Sequence, residues 1–389
     1  MNLPKISEIE KILKTKNKQE NSLRCCILRN ISIENIDIYL KYFSKIKKNN
    51  LDISYGNFDN IYQDTLANGI INKKEFDFIV VFLWLPTFSD ILIKKIKSLS
   101  LSQINKEKKR LSEYCKATIT NIRKYSNSPI LWATYDSMEN YDSHSIYSDN
   151  FYSFEKVVEE LNFNLKKIVS KFNDVFLLNL NKCRLKSNNE DFYNKRFWYS
   201  FKSPFGIEGL KYLSSEINKF INNIFAPQSK CIVLDCDNVL WGGILGEVGY
   251  NKINLSNDNG DSEFLDFQKE ILNLYKTGTI LAINSKNNLE DVLEVFKKNK
   301  RMILKENHFA SIKANWNDKA SNLREIAKDL NIGLNSLVFV DDSEFEINLI
   351  KKELPEVKTL HLPIDSSENN RSRLISSGHF EKMKITNED

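Results

Sequence analysis

Cys231-Ile232-Val233-Leu234-Asp235-Cys236-Asp237-Asn238-Val239-Leu240-Trp241-Gly242-Gly243 is the stretch whose reading decides the fold. An apolar run reaches one carboxylate, a second carboxylate follows two positions later, and a glycine pair closes the segment. A short apolar run without polar alternation predicts a strand buried on both faces of a parallel sheet. Asp235 then stands at its C-terminal end, where open α/β sheets place their ligand crevice. Asp235 and Asp237 can approach one small charged ligand or one hard cation together.

Toward the C-terminus the pattern recurs. Residues 279–284 predict a second buried strand with Ser285 at its end, and 337–340 a third that runs into Asp341-Asp342. Helices are expected at 261–276, 288–299 and 318–330, with Lys319 opening the last of them. The first should turn Phe264, Leu265, Phe267, Ile271, Leu272 and Tyr275 inward, and Gly278 sits at its C-cap. The glycine-rich stretch 241–249 suits a tight hairpin or flap beside the site.

Toward the N-terminus, strands expected at 23–28, 76–85, 129–134 and 175–180 alternate with helices at 6–13, 33–46, 90–124 (broken near Ser100), 154–172 and 206–225. Strands alternating with helices imply a second parallel sheet covered on both faces, so the fold class is α/β throughout. The expected organisation is an N-terminal helix and linker over 1–22, one α/β domain over 23–226 and another over 227–389, joined at Ala226-Pro227-Gln228-Ser229-Lys230.

Composition narrows the setting. Among 389 residues, 41% hydrophobic and 28% charged describe a chain with a substantial core. A net charge of +5 against 56 basic and 51 acidic residues lacks the concentrated basic face that nucleic acid demands. Six cysteines form no Cys-x-x-Cys pair and four histidines show no zinc spacing, which argues against a structural metal and for a reduced cytoplasmic setting. The first residues are polar and lysine-rich without an apolar signal core, and the longest apolar run, 78–86, is far short of a membrane span.

Three strands thus deliver Asp235, Ser285 and Asp341-Asp342 to one sheet edge, with Lys319 nearby. Such a set suits phosphoryl transfer. Asp235 attacks phosphorus to form an aspartyl-phosphate, and Asp237 protonates the leaving oxygen and later deprotonates water. Carboxylate and phosphate are both anionic, so a hard cation must bridge them. Mg²⁺ is expected, held by Asp235, the backbone carbonyl of Asp237 and an acid of the Asp341-Asp342 pair. Asp342 is the expected ligand and Asp341 the partner that orients Lys319, although spacing alone leaves that choice open. Ser285 and Lys319 bind the phosphoryl oxygens, while Lys286 and Asn287 either touch substrate or cap a helix.

The order Asp-x-Asp, strand-end Ser, Lys, Asp-Asp resembles the haloacid dehalogenase (HAD) superfamily. The string Leu234-Asp235-Cys236-Asp237-Asn238-Val239-Leu240-Trp241-Gly242-Gly243-Ile244-Leu245-Gly246-Glu247 narrows the resemblance to its subfamily IIIC, the FkbH-like proteins. Residues 283–287, 315–319, 330–334, 338–342 and 354–357 support it. The resemblance implies a HAD-like Rossmannoid second domain after an SGNH-hydrolase-like first domain. That first domain has no recognisable triad: its first strand leads into Arg29-Asn30-Ile31-Ser32 rather than Gly-Asp-Ser, and His144 stands alone before residue 300. It also implies a glyceryl transferase/phosphatase that dephosphorylates 1,3-bisphosphoglycerate, a phosphorylated three-carbon substrate, and loads D-glyceryl onto the thiol of an acyl carrier protein. Asn284 departs from the pattern, since many relatives carry Cys there, as do Cys236 and Val239, where Leu and Thr are usual. The chain also stops at Thr386-Asn387-Glu388-Asp389, where relatives continue. The alternative is a small-molecule or sugar-phosphate phosphatase without acyl transfer.

Overall fold

Strand Cys231–Leu234 is the spine of the second half, and its side chains alternate between two cores. Ile232 and Leu234 enter one, with Phe267, Ile283, Val295 and Val340. Cys231 and Val233 enter the other, with Ala282, Leu323, Phe339 and Ile350. A strand that feeds apolar side chains to both faces belongs inside a sheet covered on each side, which explains its unbroken apolar run.

The computed structural model describes residues 3–15, 21–47, 49–94, 96–137, 153–187, 191–225, 228–255 and 262–380. His144, Ala226, Pro227 and 386–389 lie outside them. The chain forms two compact units, 1–222 and 223–389. The strands of the first are β1 (Asn21–Arg29), β2 (Asn49–Tyr55), β3 (Phe78–Phe82), β4 (Ile130–Ala133) and β5 (Val175–Leu178). They pair in parallel in the order β2-β1-β3-β4-β5. The strands of the second are β6 (Cys231–Leu234), β7 (Ile280–Ser285), β8 (Phe309–Ala314), β9 (Leu337–Asp341) and β10 (Lys358–His361), again all parallel, in the order β10-β9-β6-β7-β8. The fold class is therefore α/β, as the alternation implied.

In the second sheet the chain moves outward from β6 to β7 and β8, then returns to the other side of β6 as β9. The strand order reverses between β6 and β9, the point at which open α/β sheets place their ligand crevice, at the strands' C-terminal ends. Asp235 N–H donates to the carbonyl of Val340 at 3.0 Å, so the two acid-bearing ends are pinned together.

Several local expectations need correction. Residues 241–249 form no tight hairpin. Gly242 pairs with Asn254 through two backbone hydrogen bonds of 2.9 and 2.8 Å, and Leu245–Val248 makes one helical turn. A side chain at Gly242 would meet the ring of Phe264 at 2.8 Å, which accounts for that glycine. Tyr275, assigned to the inner face of helix Glu263–Lys276, is 39% exposed, and Gln268 is buried in that face instead. The strand expected over 76–85 spans only Phe78–Phe82, and Pro86 lies in the first turn of the short helix Leu85–Phe88. The break expected near Ser100 is present: the helix Asp90–Lys94 has ended, and Ser100 accepts from Gln103 N–H and caps a second helix, Leu101–Tyr125. No helix among the described residues is long and apolar enough to cross a membrane.

Candidate active site

The crevice between β6 and β9 collects the carboxylates. Asp235 follows the last residue of β6 and is 7% exposed; its Oδ1 accepts the N–H of Cys236 at 2.8 Å. Asp341 ends β9 and is fully buried, with Oδ1 accepting Ser343 N–H at 2.8 Å. Lys319, the first residue of the helix Lys319–Asp329, is buried beside these two acids. Its Nζ lies 3.0 Å from Asp235 Oδ2 and 2.5 Å from Asp341 Oδ2. Burial works against the ammonium, but the carboxylates of Asp235 and Asp341 outweigh it and hold Lys319 above the usual lysine range.

Asp342 is half-buried. Its Oδ2 accepts from Asn238 Nδ2 at 3.1 Å, and its carbonyl lies 2.9 Å from His361 Nε2. Asn238 occupies the left-handed region at φ +55°, a conformation its short amide side chain tolerates, and its Oδ1 accepts Gly243 N–H at 3.0 Å. One asparagine thereby ties the turn after β6 to the acid pair after β9.

Asp237 sits under the glycine-rich segment. Oδ1 accepts from Trp241 Nε1 at 2.9 Å and from Leu245 N–H at 3.1 Å, while Oδ2 accepts from Asn287 Nδ2 at 3.0 Å. Burial raises its pKa, the three donors pull the other way, and the net direction is upward. Trp241 is fully buried and packs as well as donating. Asn287 also donates to Ser285 Oγ at 3.1 Å, so it links the acid to the serine, and the helix that follows starts after Asn288, whose side chain makes no capping bond. Lys286 is paired with Glu346 at 2.7 Å.

Could a divalent cation sit here? Oxygen atoms of Asp235, Asp341 and Asp342 all lie within 4.8 Å of one another. Both oxygens of Asp341 are engaged by Lys319 and Ser343, whereas Asp342 has one oxygen tied to Asn238. Burial and the negative charge of Asp235 push Asp341 up to about 7 and raise Asp342 as well. Those upward shifts mark a site with more carboxylates than one lysine neutralises. Hard oxygen donors with a deficit of positive charge suit Mg²⁺.

Sequence reasoning missed a second network behind the site. Asn284, fully buried in β7, donates from Nδ2 to the carbonyl of Lys319 at 2.9 Å and accepts from Asn322 Nδ2 at 3.0 Å. Asn322 donates to Asn315 Oδ1 at 3.0 Å, and Asn315 N–H donates to the carbonyl of Ser285 at 3.1 Å. These amides lock the segment 315–319 to the strand that carries Ser285. Asparagine carries no sequence signal for such a role.

Fold and site together define an α/β protein of two parallel-sheet units, with a carboxylate cluster at the switch point of the second. Compared with solved structures, the whole chain resembles the N-terminal part of protein BF1531 from Bacteroides fragilis, containing a phosphatase domain complexed with Mg. The TM-score is 0.81 at 23% identity, covering 98% of this chain and 100% of that one, so the two share a fold. Two further structures match only part of the chain and carry no weight here. They are a HAD family enzyme of Bacteroides thetaiotaomicron (13% identity, TM-score 0.25, 35% of this chain and 94% of that one) and the 3-deoxy-D-manno-octulosonate 8-phosphate phosphatase of Moraxella catarrhalis (17%, 0.24, 38% and 92%). No protein-family model matches the sequence, and no curated protein matches it.

Proposed function

We propose that the second unit is a Mg²⁺-dependent phosphatase of the HAD type, working through an aspartyl-phosphate on Asp235. The observation that carries this reading is the placement of Lys319 Nζ against Asp235 and Asp341, with Asp237 and Ser285 joined by Asn287 beside them. The likeness to a phosphatase domain complexed with Mg supports it.

Asp235 Oδ attacks the phosphorus. Lys319 and Ser285 face the transferred oxygens and offset their charge. Asp237, raised by burial, carries the proton that the leaving oxygen needs, then takes one from the water that hydrolyses the aspartyl-phosphate. Mg²⁺, when bound by Asp235, Asp342 and the Asp237 carbonyl, supplies the positive charge that lets carboxylate and phosphate approach. Asp341 keeps Lys319 in place.

Resemblance to FkbH-like proteins adds a finer reading, in which the substrate is 1,3-bisphosphoglycerate and the glyceryl group passes to an acyl carrier protein. One observation favours the phosphatase alternative. All six cysteines are buried, and burial raises the pKa of each, so none is poised to hold an acyl group. Acyl transfer would have to pass directly to the carrier thiol.

The test is incubation with 1,3-bisphosphoglycerate, Mg²⁺ and a holo carrier protein, read by phosphate release and by intact mass. Phosphate release that disappears in Asp235→Asn is the expected result. A glyceryl adduct on the carrier establishes transfer; phosphate without adduct removes it; turnover that survives Asp235→Asn removes the aspartyl-phosphate.

A further inference from the structure

Trp316 stands out at the rim of this site. It is 72% exposed, yet its indole makes a hydrogen bond and its chain neighbours are tied down. Its Nε1 donates to Asn288 Oδ1 at 3.0 Å. On one side Asn315 is fixed by Asn322 and by Ser285, and on the other Asn317 N–H donates to Asn315 Oδ1 at 3.0 Å. Asp318 closes the segment by capping the helix that Lys319 begins. The indole is therefore oriented by one hydrogen bond on an anchored segment, and its carbon surface is left open to solvent.

Its place in the fold gives that surface a use. Trp316 follows β8 at the C-terminal edge of the sheet, three positions before Lys319. Its hydrogen-bond partner Asn288 adjoins Asn287, which contacts both Asp237 and Ser285. Both chains that fix the indole thus lead directly into residues assigned to the phosphoryl group and its leaving oxygen. A rigid aromatic face costs little conformational entropy to use, and it favours flat or carbon-rich partners.

We infer that Trp316 is a specificity-determining residue: its indole face packs against the organic part of the phosphate ester, selecting leaving groups large enough to reach it. This rests on the phosphatase reading above. The probes are phenyl phosphate, which offers a flat ring, and acetyl phosphate, which offers two carbons. In Trp316→Ala the ratio of KM for phenyl phosphate to KM for acetyl phosphate should rise about tenfold, with KM rather than kcat carrying the change. Trp316→Phe should restore most of the ratio, since it keeps a ring. A ratio that stays at the wild-type value, or that phenylalanine fails to restore, overturns the inference, and thermal denaturation shows whether the variants remain folded.

A second arm does not depend on turnover. Asp235→Asn protein with Mg²⁺ should show saturable quenching of tryptophan fluorescence by phenyl phosphate, lost in Asp235→Asn/Trp316→Phe. Quenching that persists in the double variant, or that is absent from the single one, counts against Trp316. Failure of wild-type protein to release phosphate from either compound while this quenching holds would sink the phosphatase reading alone.

Discussion

Lys319 Nζ lies 2.5 Å from Asp341 Oδ2, and both side chains are almost wholly removed from water. A buried pair of this kind contributes little net stability as a unit, because desolvation of two charges offsets their attraction. Breaking it is another matter. Lys319→Met leaves Asp341 and Asp235 buried together without a counter-charge, and should lower the unfolding free energy by about 3–5 kcal/mol. Lys319→Met combined with Asp341→Asn removes both charges and should recover part of that loss, although neither protein would turn over phosphate. Urea denaturation of wild type, Lys319→Met, Asp341→Asn and the double variant completes the double-mutant cycle that measures it. Additive losses would mean that the pair is not coupled.

Metal binding should be visible as stability. Asp342 is raised by burial and by repulsion from Asp235, so the metal-free protein carries unfavourable negative charge at the crevice. Mg²⁺ at about 100 times its dissociation constant should stabilise the fold by about 2.7 kcal/mol, and chelation should reverse the gain. Asp342→Asn keeps the shape and the contact with Asn238 while removing one repelling charge. It should be at least as stable as wild type without metal, and its melting temperature should hardly respond to Mg²⁺. An undiminished response would remove Asp342 from the ligand set.

How far the fold can be read from the chain depends on burial. The strands β6, β7 and β9 stand out because both of their faces are covered, which leaves apolar runs at 231–234, 280–283 and 337–340. The edge strands β2, β8 and β10 do not. Phe309–Ala314 is largely half-exposed and Lys358–His361 entirely so, and a polar edge strand looks like a loop. Helix Glu344–Glu353 escaped notice for a related reason: its few buried positions sit among charged residues. At the site, the acids, Ser285 and Lys319 are chemically distinctive types at strand and helix ends, and the structure brings them together. Asn238, Asn315 and Asn322 act through backbone geometry and amide contacts that no spacing rule encodes. The same holds for Glu346, which takes up the charge of Lys286.

The amide network behind Lys319 should matter to phosphate binding. In Asn284→Ala the carbonyl of Lys319 and Nδ2 of Asn322 both lose a partner in a fully buried place. Asn322 Nδ2 keeps Asn315 Oδ1, but losing the other bonds in so buried a place costs about 1–3 kcal/mol. The segment 315–319 would also lose its anchor to β7, so inorganic phosphate should inhibit more weakly as a product. Asn284→Asp is the sharper comparison, because it keeps the size but sets a carboxylate against the Lys319 carbonyl. It should be worse than alanine in both urea denaturation and phosphate inhibition. If both variants bind phosphate as wild type does, the network only fills space.

Thiol reactivity separates covalent acyl chemistry from direct transfer. Burial is the largest cause of the upward shift at every cysteine; Cys115, Cys183 and Cys231 reach about 12, and Cys236 is raised further by Asp235 and Asp237 despite Ser285 and Lys319. A raised thiol pKa means that the neutral form persists at pH 8, and the neutral thiol is a poor nucleophile. Native protein at pH 8 should therefore resist iodoacetamide at all six positions, while the same protein in denaturant takes up the reagent at each of them. Mass analysis of a time course gives the count. Rapid modification of one thiol in the native protein would identify a reactive cysteine and reopen a thioester route. Continued resistance leaves no thiol of the native chain able to take up an acyl group, so any acyl transfer would have to be direct.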